Sequence, residues 1–171
     1  MLREVYDLTG DWEFREYPAG ARRMRDLDGD DWLQTRVPSS IYTCLVGVGQ
    51  IDAADLNANP EKFAHISRRP WIFRKVFDAP ADLPACGRID LVFDGLDTIT
   101  QIWLNDKLIG KTDNMFIAHR FDVTSLLKPT GNRLLVKLSP AEAHAEKLMN
   151  RYGKLNAFCF GSACRPYIRK A

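Results

Sequence analysis

Side chains that commonly do chemistry are few in this sequence, and they are scattered. The three histidines, His65, His119 and His144, stand at no metal-ligand spacing to another histidine, a cysteine or a carboxylate. Each reads as a solvated or singly hydrogen-bonded histidine, and no metal is expected. Cysteines at 44, 86, 159 and 164 fit no zinc template. Cys159 and Cys164 are close enough in sequence for a local disulfide, but buried free thiols are the preferred reading. Gly161-Ser162 lacks the frame of a nucleophile elbow, because Arg165 and Pro166 follow it. Gly47-Val48-Gly49 lacks the remaining glycine of a dinucleotide turn, so no cofactor is expected.

Acid–base chemistry by paired carboxylates needs two acids about 5–10 Å apart in a pocket, with their pKa values pushed apart. Asp94 and Asp97 flank Gly95-Leu96 and invite that reading. Asp residues shaping a turn between two strands explain the pattern better. The four tryptophans raise a second possibility, a platform on which sugar rings stack. Trp12 and Trp103 alternate with polar neighbours and read as core. Trp32 and Trp71 adjoin loops and fit core or platform equally well. No catalytic residue is expected in this chain.

The elements that would position these residues are mostly strands. Trp12 and Phe14 alternate with Glu13 and Arg15 after the turn-like Thr9-Gly10-Asp11, a strand with one buried face. Trp71 to Phe77 is an aromatic-rich strand ended by Asp78-Ala79-Pro80. The runs 88–93, 98–104, 120–123 and 133–138 read as further strands, and Asn105-Asp106-Lys107 as a tight hairpin turn. Residues 124–127 read as one helical turn. The stretch 51–70 has little periodicity, apart from a helical turn expected after Asn59 with Pro60 at its first position. Such a stretch suggests a functional or partner-contact loop. At Ser139-Pro140 the period changes. Ser139 as N-cap, Pro140 at the first position and Glu142 three residues on predict a helix through about Tyr152, stopped near Gly153. Eight or so short strands with regular turns indicate an antiparallel sandwich or barrel.

Bulk properties agree with a single domain over 1–171. A chain of 171 residues buries roughly 70% of its unfolded surface, enough for a proper core. A net charge of +2 gives no reason to expect nucleic acid or an anionic membrane as partner. No apolar run approaches membrane-spanning length. The first residues hold no apolar signal region, so the cytoplasm is the default expectation.

Several segments together resemble one family. They are Leu8-Thr9-Gly10-Asp11-Trp12-Glu13-Phe14; Trp32 followed by Val37-Pro38, Leu45, Gly49 and Ile51; and Trp71 to Phe77. Phe93-Asp94-Gly95-Leu96-Asp97-Thr98 comes next, running on to Ile102-Trp103-Leu104-Asn105, Gly110 and Asn114-Met115-Phe116, and last comes Tyr167-Ile168-Arg169-Lys170-Ala171. In this order and spacing they resemble the N-terminal sugar-binding domain of glycoside hydrolase family 2. The Arg-Lys-Ala ending is similar to the β-mannosidase branch rather than the β-galactosidase or β-glucuronidase branches. Asn59-Pro60-Glu61 is loosely similar to an Asn-Glu pair in that loop of relatives, and 154–166 matches no family pattern.

The resemblance implies an all-β fold, an antiparallel jelly-roll β-sandwich of the galactose-binding-like type with one short helix near the C-terminus. It implies partners too: an immunoglobulin-like domain and a (β/α)₈ barrel downstream in the same polypeptide. There two barrel glutamates release β-linked mannose from mannose-containing oligosaccharides by a retaining mechanism. This chain alone is then expected to be inactive. Trp71, Asn114 and Arg169 become candidates for lying near substrate. Phe158, Phe160, Tyr167 and Ile168 become candidates for docking the downstream domains. The rival readings are a stand-alone carbohydrate-binding module and a β-galactosidase- or β-glucuronidase-type relative.

Overall fold

The structure, a computed structural model, describes residues 4–21, 24–81 and 87–153, with side chains omitted at 24 and 25. Eight strands are present: β1 (Gly10–Glu16), β2 (Leu33–Val37), β3 (Trp71–Phe77), β4 (Asp90–Phe93), β5 (Ile99–Leu104), β6 (Lys107–Thr112), β7 (His119–Asp122) and β8 (Asn132–Ser139). Six form one antiparallel sheet in the order β2-β1-β3-β8-β5-β6, and β4 pairs with β7 in a second, smaller one.

Period-two alternation decides what each face of the large sheet carries. Trp12, Phe14, Trp71, Phe73, Ile102, Leu104, Leu134 and Val136 share the inner core with Val123, while Leu91, Phe93 and Phe121 of the small sheet pack against it. The Phe14 ring stacks on Phe73 with centroids 5.8 Å apart. Gly110 on β6 permits the closure between sheets, because a Cβ there would overlap the Phe121 ring of β7. The fold is an all-β antiparallel sandwich.

The outer face is covered as well. Leu27, Trp32, Ile72, Trp103 and Leu135 form a second buried cluster, which the segment between β1 and β2 folds over. For that reason Leu134, Leu135 and Val136 are all buried in succession on β8. Arg15, polar and outward on the alternation, is only 6% exposed. Its guanidinium lies over the Trp32 ring at 4.6 Å, that of Arg74 lies over the same ring at 4.2 Å, and Arg15 pairs with Asp31.

The β5–β6 connection obeys its sequence. Asn105 and Asp106 both adopt positive φ, 49° and 69°, as a two-residue primed hairpin turn requires. The described residues hold the expected helix near the C-terminus and two short ones besides. Helix α1 (Ile41–Gly47) is capped by Ser40, whose side chain accepts from Thr43 N. Helix α2 (Ala53–Ala58) is capped by Asp52, and 3₁₀ turns come after it at Pro60–Phe63 and Ile66–Arg68. The expected turn with Pro60 near its start is therefore present. Ile51, Phe63 and Ile66 sink into the inner core, which anchors a stretch whose sequence looks irregular.

Helix α3 (Ala141–Tyr152) forms and ends at Gly153 as predicted, but Ser139 is not its cap. The β5–β8 ladder runs on through the pair Ile99↔Ser139, so Ser139 is the last residue of a strand. Pro140 occupies the cap position without a side-chain hydrogen bond, and Glu142 turns to Arg68, 3.2 Å away.

Candidate functional site: one rim of the sandwich

Strand register shows which sequence candidates meet. Trp71 on β3 opposes Leu138 on β8, Leu138 also opposes Thr100 on β5, and Thr100 opposes Thr112 on β6. Just beyond this row the chain leaves the sheet in the loops 65–70, 94–98, 113–118 and the link 139–140. These loops form one rim, and both described substrate-proximal candidates lie there.

Beneath the rim, polar groups are internally satisfied. The Thr100 and Thr112 hydroxyls are buried and 2.6 Å apart, and the Thr112 hydroxyl donates to the carbonyl of Thr98 at 3.2 Å. Trp71 is 8% exposed, its ring centroid 6.1 Å from that of Phe14, and its indole N–H donates to the Ile66 carbonyl at 3.0 Å. It is a floor under the rim, with its donor already used.

Asn114 is exposed and shapes loop 113–118. Its Oδ1 accepts from the Phe116 N–H at 2.9 Å, and its carbonyl lies 2.7 Å from His119 Nε2. Gly95 passes beside this loop, where a Cβ would lie 3.4 Å from the Met115 carbonyl, an ordinary contact. Asp97 accepts from the Thr98 hydroxyl in the same turn, in keeping with a turn-shaping carboxylate. Phe116 and Ile117 project into solvent, 61% and 52% exposed. At the α3 side a cleft of about 270 Å³ is lined by Arg68, Pro140, Glu142, Ala143 and Glu146. A larger open cleft of about 450 Å³ runs along the edge strand β2, lined among others by Gln34, Arg36, Ser39 and Thr43.

Glu142 and Glu146 both line the cleft beside α3, and neither is buried. The buried polar or charged residues are Arg15, Thr98, Thr100, Thr112 and Asn132, so among the described residues no carboxylate and no histidine is buried. A general acid at neutral pH needs its carboxyl pKa raised, which burial ordinarily supplies. Here the displaced carboxyls move the other way. Hydrogen bonds from Thr9 hold Asp7 below the usual range, those from Lys62 and Asn59 do so for Asp55, and those from Thr124 for Asp122. Among the described residues no group of three His, Cys, Asp or Glu could hold a metal.

All four tryptophans are at most 9% exposed, so none offers a free ring face to a sugar. Trp12 also donates its indole N–H to Leu8 O at 2.8 Å. Cys44 is a buried free thiol. Arg169, Phe158, Phe160, Tyr167, Ile168, Cys86 and the pair Cys159 and Cys164 lie outside the described residues.

Sequence patterning did not reveal the braced, outward-facing pair Phe116 and Ile117. It also missed the polar network formed by Asn105, Asn132 and Arg133 at the opposite end. For the latter, the available signal was an Asn at each of two turns, Asn105-Asp106 and Gly131-Asn132.

A two-sheet antiparallel sandwich of this kind is the architecture of a domain of the galactose-binding-like type. The model for the glycosyl hydrolase 2 galactose-binding domain-like family matches residues 12–171, and the chain belongs to that family. It is 31% identical over 170 residues to β-mannosidase B of Thermothelomyces thermophilus, a match that takes in 99% of this chain and 19% of that protein. It is also 31% identical over 141 residues to mouse β-mannosidase, covering 82% of this chain and 15% of the relative. Among solved structures, the β-D-mannosidase of Dictyoglomus thermophilum superposes with a TM-score of 0.77 at 31% identity, over 89% of this chain and 18% of the other. The chain thus spans about a fifth of the length of the curated relatives it matches.

Proposed function

We propose that this chain is the N-terminal, non-catalytic module of a longer β-mannosidase, and that its loop rim helps to wall the entrance to a downstream active site. One observation carries the reading: the chain matches β-mannosidases along nearly its whole length while spanning 19% of theirs. The absence of a buried carboxylate among the described residues supports placing the chemistry elsewhere. In this reading two glutamates of a downstream barrel act as acid/base and nucleophile, releasing terminal β-linked mannose with retention. An immunoglobulin-like domain lies between module and barrel.

Within the module, Asn114 on the rim and Arg169 in the C-terminal segment are the side chains proposed to approach mannose-containing oligosaccharide. Trp71 acts from below, as the floor on which the rim loops rest. Phe158, Phe160, Tyr167 and Ile168 are proposed to dock the downstream domains. Hydrolysis of an aryl β-mannoside tests the reading. The full polypeptide should turn it over, and Asn114→Ala should weaken that turnover. A full polypeptide active on aryl β-galactosides or β-glucuronides, and not on β-mannosides, would overturn the substrate assignment.

A further inference from the structure

Seven large apolar side chains are exposed among the described residues, and three of them stand alone. Val76, Leu108 and Tyr152 lie on three different elements. Two adjacent pairs occur. Val5 and Tyr6 precede β1, at the end of the sheet away from the rim. Phe116 and Ile117 sit at the tip of a loop held by two hydrogen bonds, one to the Asn114 side chain and one between its carbonyl and the His119 ring.

The bracing matters because a loop fixed in advance loses little freedom when it docks. The exposure matters because the inner core does not use these side chains, so their apolar character does nothing for the sandwich itself. Their position matters because β8 hands the chain to α3 at this same rim, through Ser139 and Pro140. The chain spans 19% of the β-mannosidases it matches, so in a polypeptide of their length further domains are available to cover the apolar tip.

We propose that Phe116 and Ile117 form an apolar plug that seats in a hydrophobic recess of the domain following this one in the same polypeptide. The inference rests on the reading of the chain as a module of a longer protein, and it adds a second anchor, distinct from the C-terminal segment. The tip fixes the rotation of the sandwich about its connecting chain, and with it the direction in which Asn114 faces. A polar tip would leave the sandwich tethered without a fixed orientation.

Hydroxyl-radical footprinting of the full polypeptide tests this, with Val76, 59% exposed, as internal reference. After correction for intrinsic reactivity, Val76 reacts as its exposure dictates, and Phe116 and Ile117 react several-fold more slowly than theirs dictates. Substituting Phe116→Ser together with Ile117→Ser raises labelling of the half-buried Met115 and leaves the circular dichroism spectrum unchanged. Full labelling of Phe116 in the wild-type polypeptide overturns the proposal. So does protection that disappears on dilution, which would mean that a second copy covers the tip. Protection that persists on dilution supports the plug even if the same polypeptide leaves aryl β-mannosides intact, an outcome that would refute the proposed function alone.

Discussion

The two ends of the sandwich differ in what their loops present. At the end away from the rim, polar groups turn inward and bind one another. Asn132 is fully buried; its Oδ1 accepts from Lys128 N and Asn105 Nδ2 at 2.8 and 2.9 Å, and its Nδ2 donates to Lys128 O at 2.7 Å. Asn105 completes the lock by donating to Leu126 O at 2.7 Å and accepting from Arg133 N at 3.0 Å. Arg133 then bridges Asp28 of the outer strap and Asp106 of the hairpin turn. At the rim, apolar side chains face water on a loop that is itself well held. The far end locks its polar turns to one another, although Val5 and Tyr6 are exposed there too. The rim carries an adjacent apolar pair, Phe116 and Ile117, at the tip of a held loop that no described part of the chain covers.

Substitutions should separate the ends by size of effect. Asn132→Leu removes a buried hub and deprives one Asn105 amide N–H and the Lys128 backbone N–H and C=O of the partner that Asn132 supplies, so it should cost about 3 kcal/mol in urea unfolding. Gly110→Ala drives a Cβ into the Phe121 ring, between the ends, and should cost about 1–3 kcal/mol as the two sheets shift. Ser40→Ala removes a true N-cap and should cost about 1 kcal/mol. By contrast Ser139→Ala, on the rim, should stay within about 0.5 kcal/mol, because its hydroxyl caps nothing. A loss at Ser139 as large as that at Ser40 would show that the strand ends earlier than the Ile99↔Ser139 pairing implies.

The smallest expected effect is that of acid. Asp7, Asp55 and Asp122 have folded pKa values below their unfolded ones, so they bind protons more readily when unfolded. Their contribution to stability is therefore complete above the unfolded carboxylate value of about 3.9 and is lost as the pH falls below it. Asp7 and Asp122 are exposed and Asp55 is half-buried, so added salt should blunt the effect. Thermal unfolding followed from neutral pH downward checks both statements. Stability that rises on acidification through this range would contradict the stated direction.

Much of the sheet was legible because its signals are local. Trp71 to Phe77 coincides with β3, since an apolar, aromatic run stopped by Asp78-Ala79-Pro80 depends on nothing distant. The Asn105-Asp106 turn was equally plain, because positive φ at two positions restricts the residue types. Ser139-Pro140 misled because a polar residue before proline marks both the end of a strand and the start of a helix; only pairing with Ile99 decides between them. Helix α1 was hidden in Ile41-Tyr42-Thr43-Cys44-Leu45-Val46-Gly47, rich in β-branched and aromatic types whose local preference is for strands. Burial of Cys44 and Leu45 outweighs that preference. The outer strap was invisible for a different reason. Its holds join Arg15 to Asp31 and Arg133 to Asp28, across separations that no periodicity reports. At the rim, resemblance named Asn114 as a candidate, and the exposure of Phe116 and Ile117 was not legible, since an aromatic next to an isoleucine reads as core from sequence alone.

The most direct test of the division between scaffold and chemistry is the turnover of an aryl β-mannoside by residues 1–171 expressed alone. Release no faster than the buffer blank is expected, at every pH where the domain stays folded. Release of the aryl group above that blank, sustained over many equivalents of protein, would contradict that division.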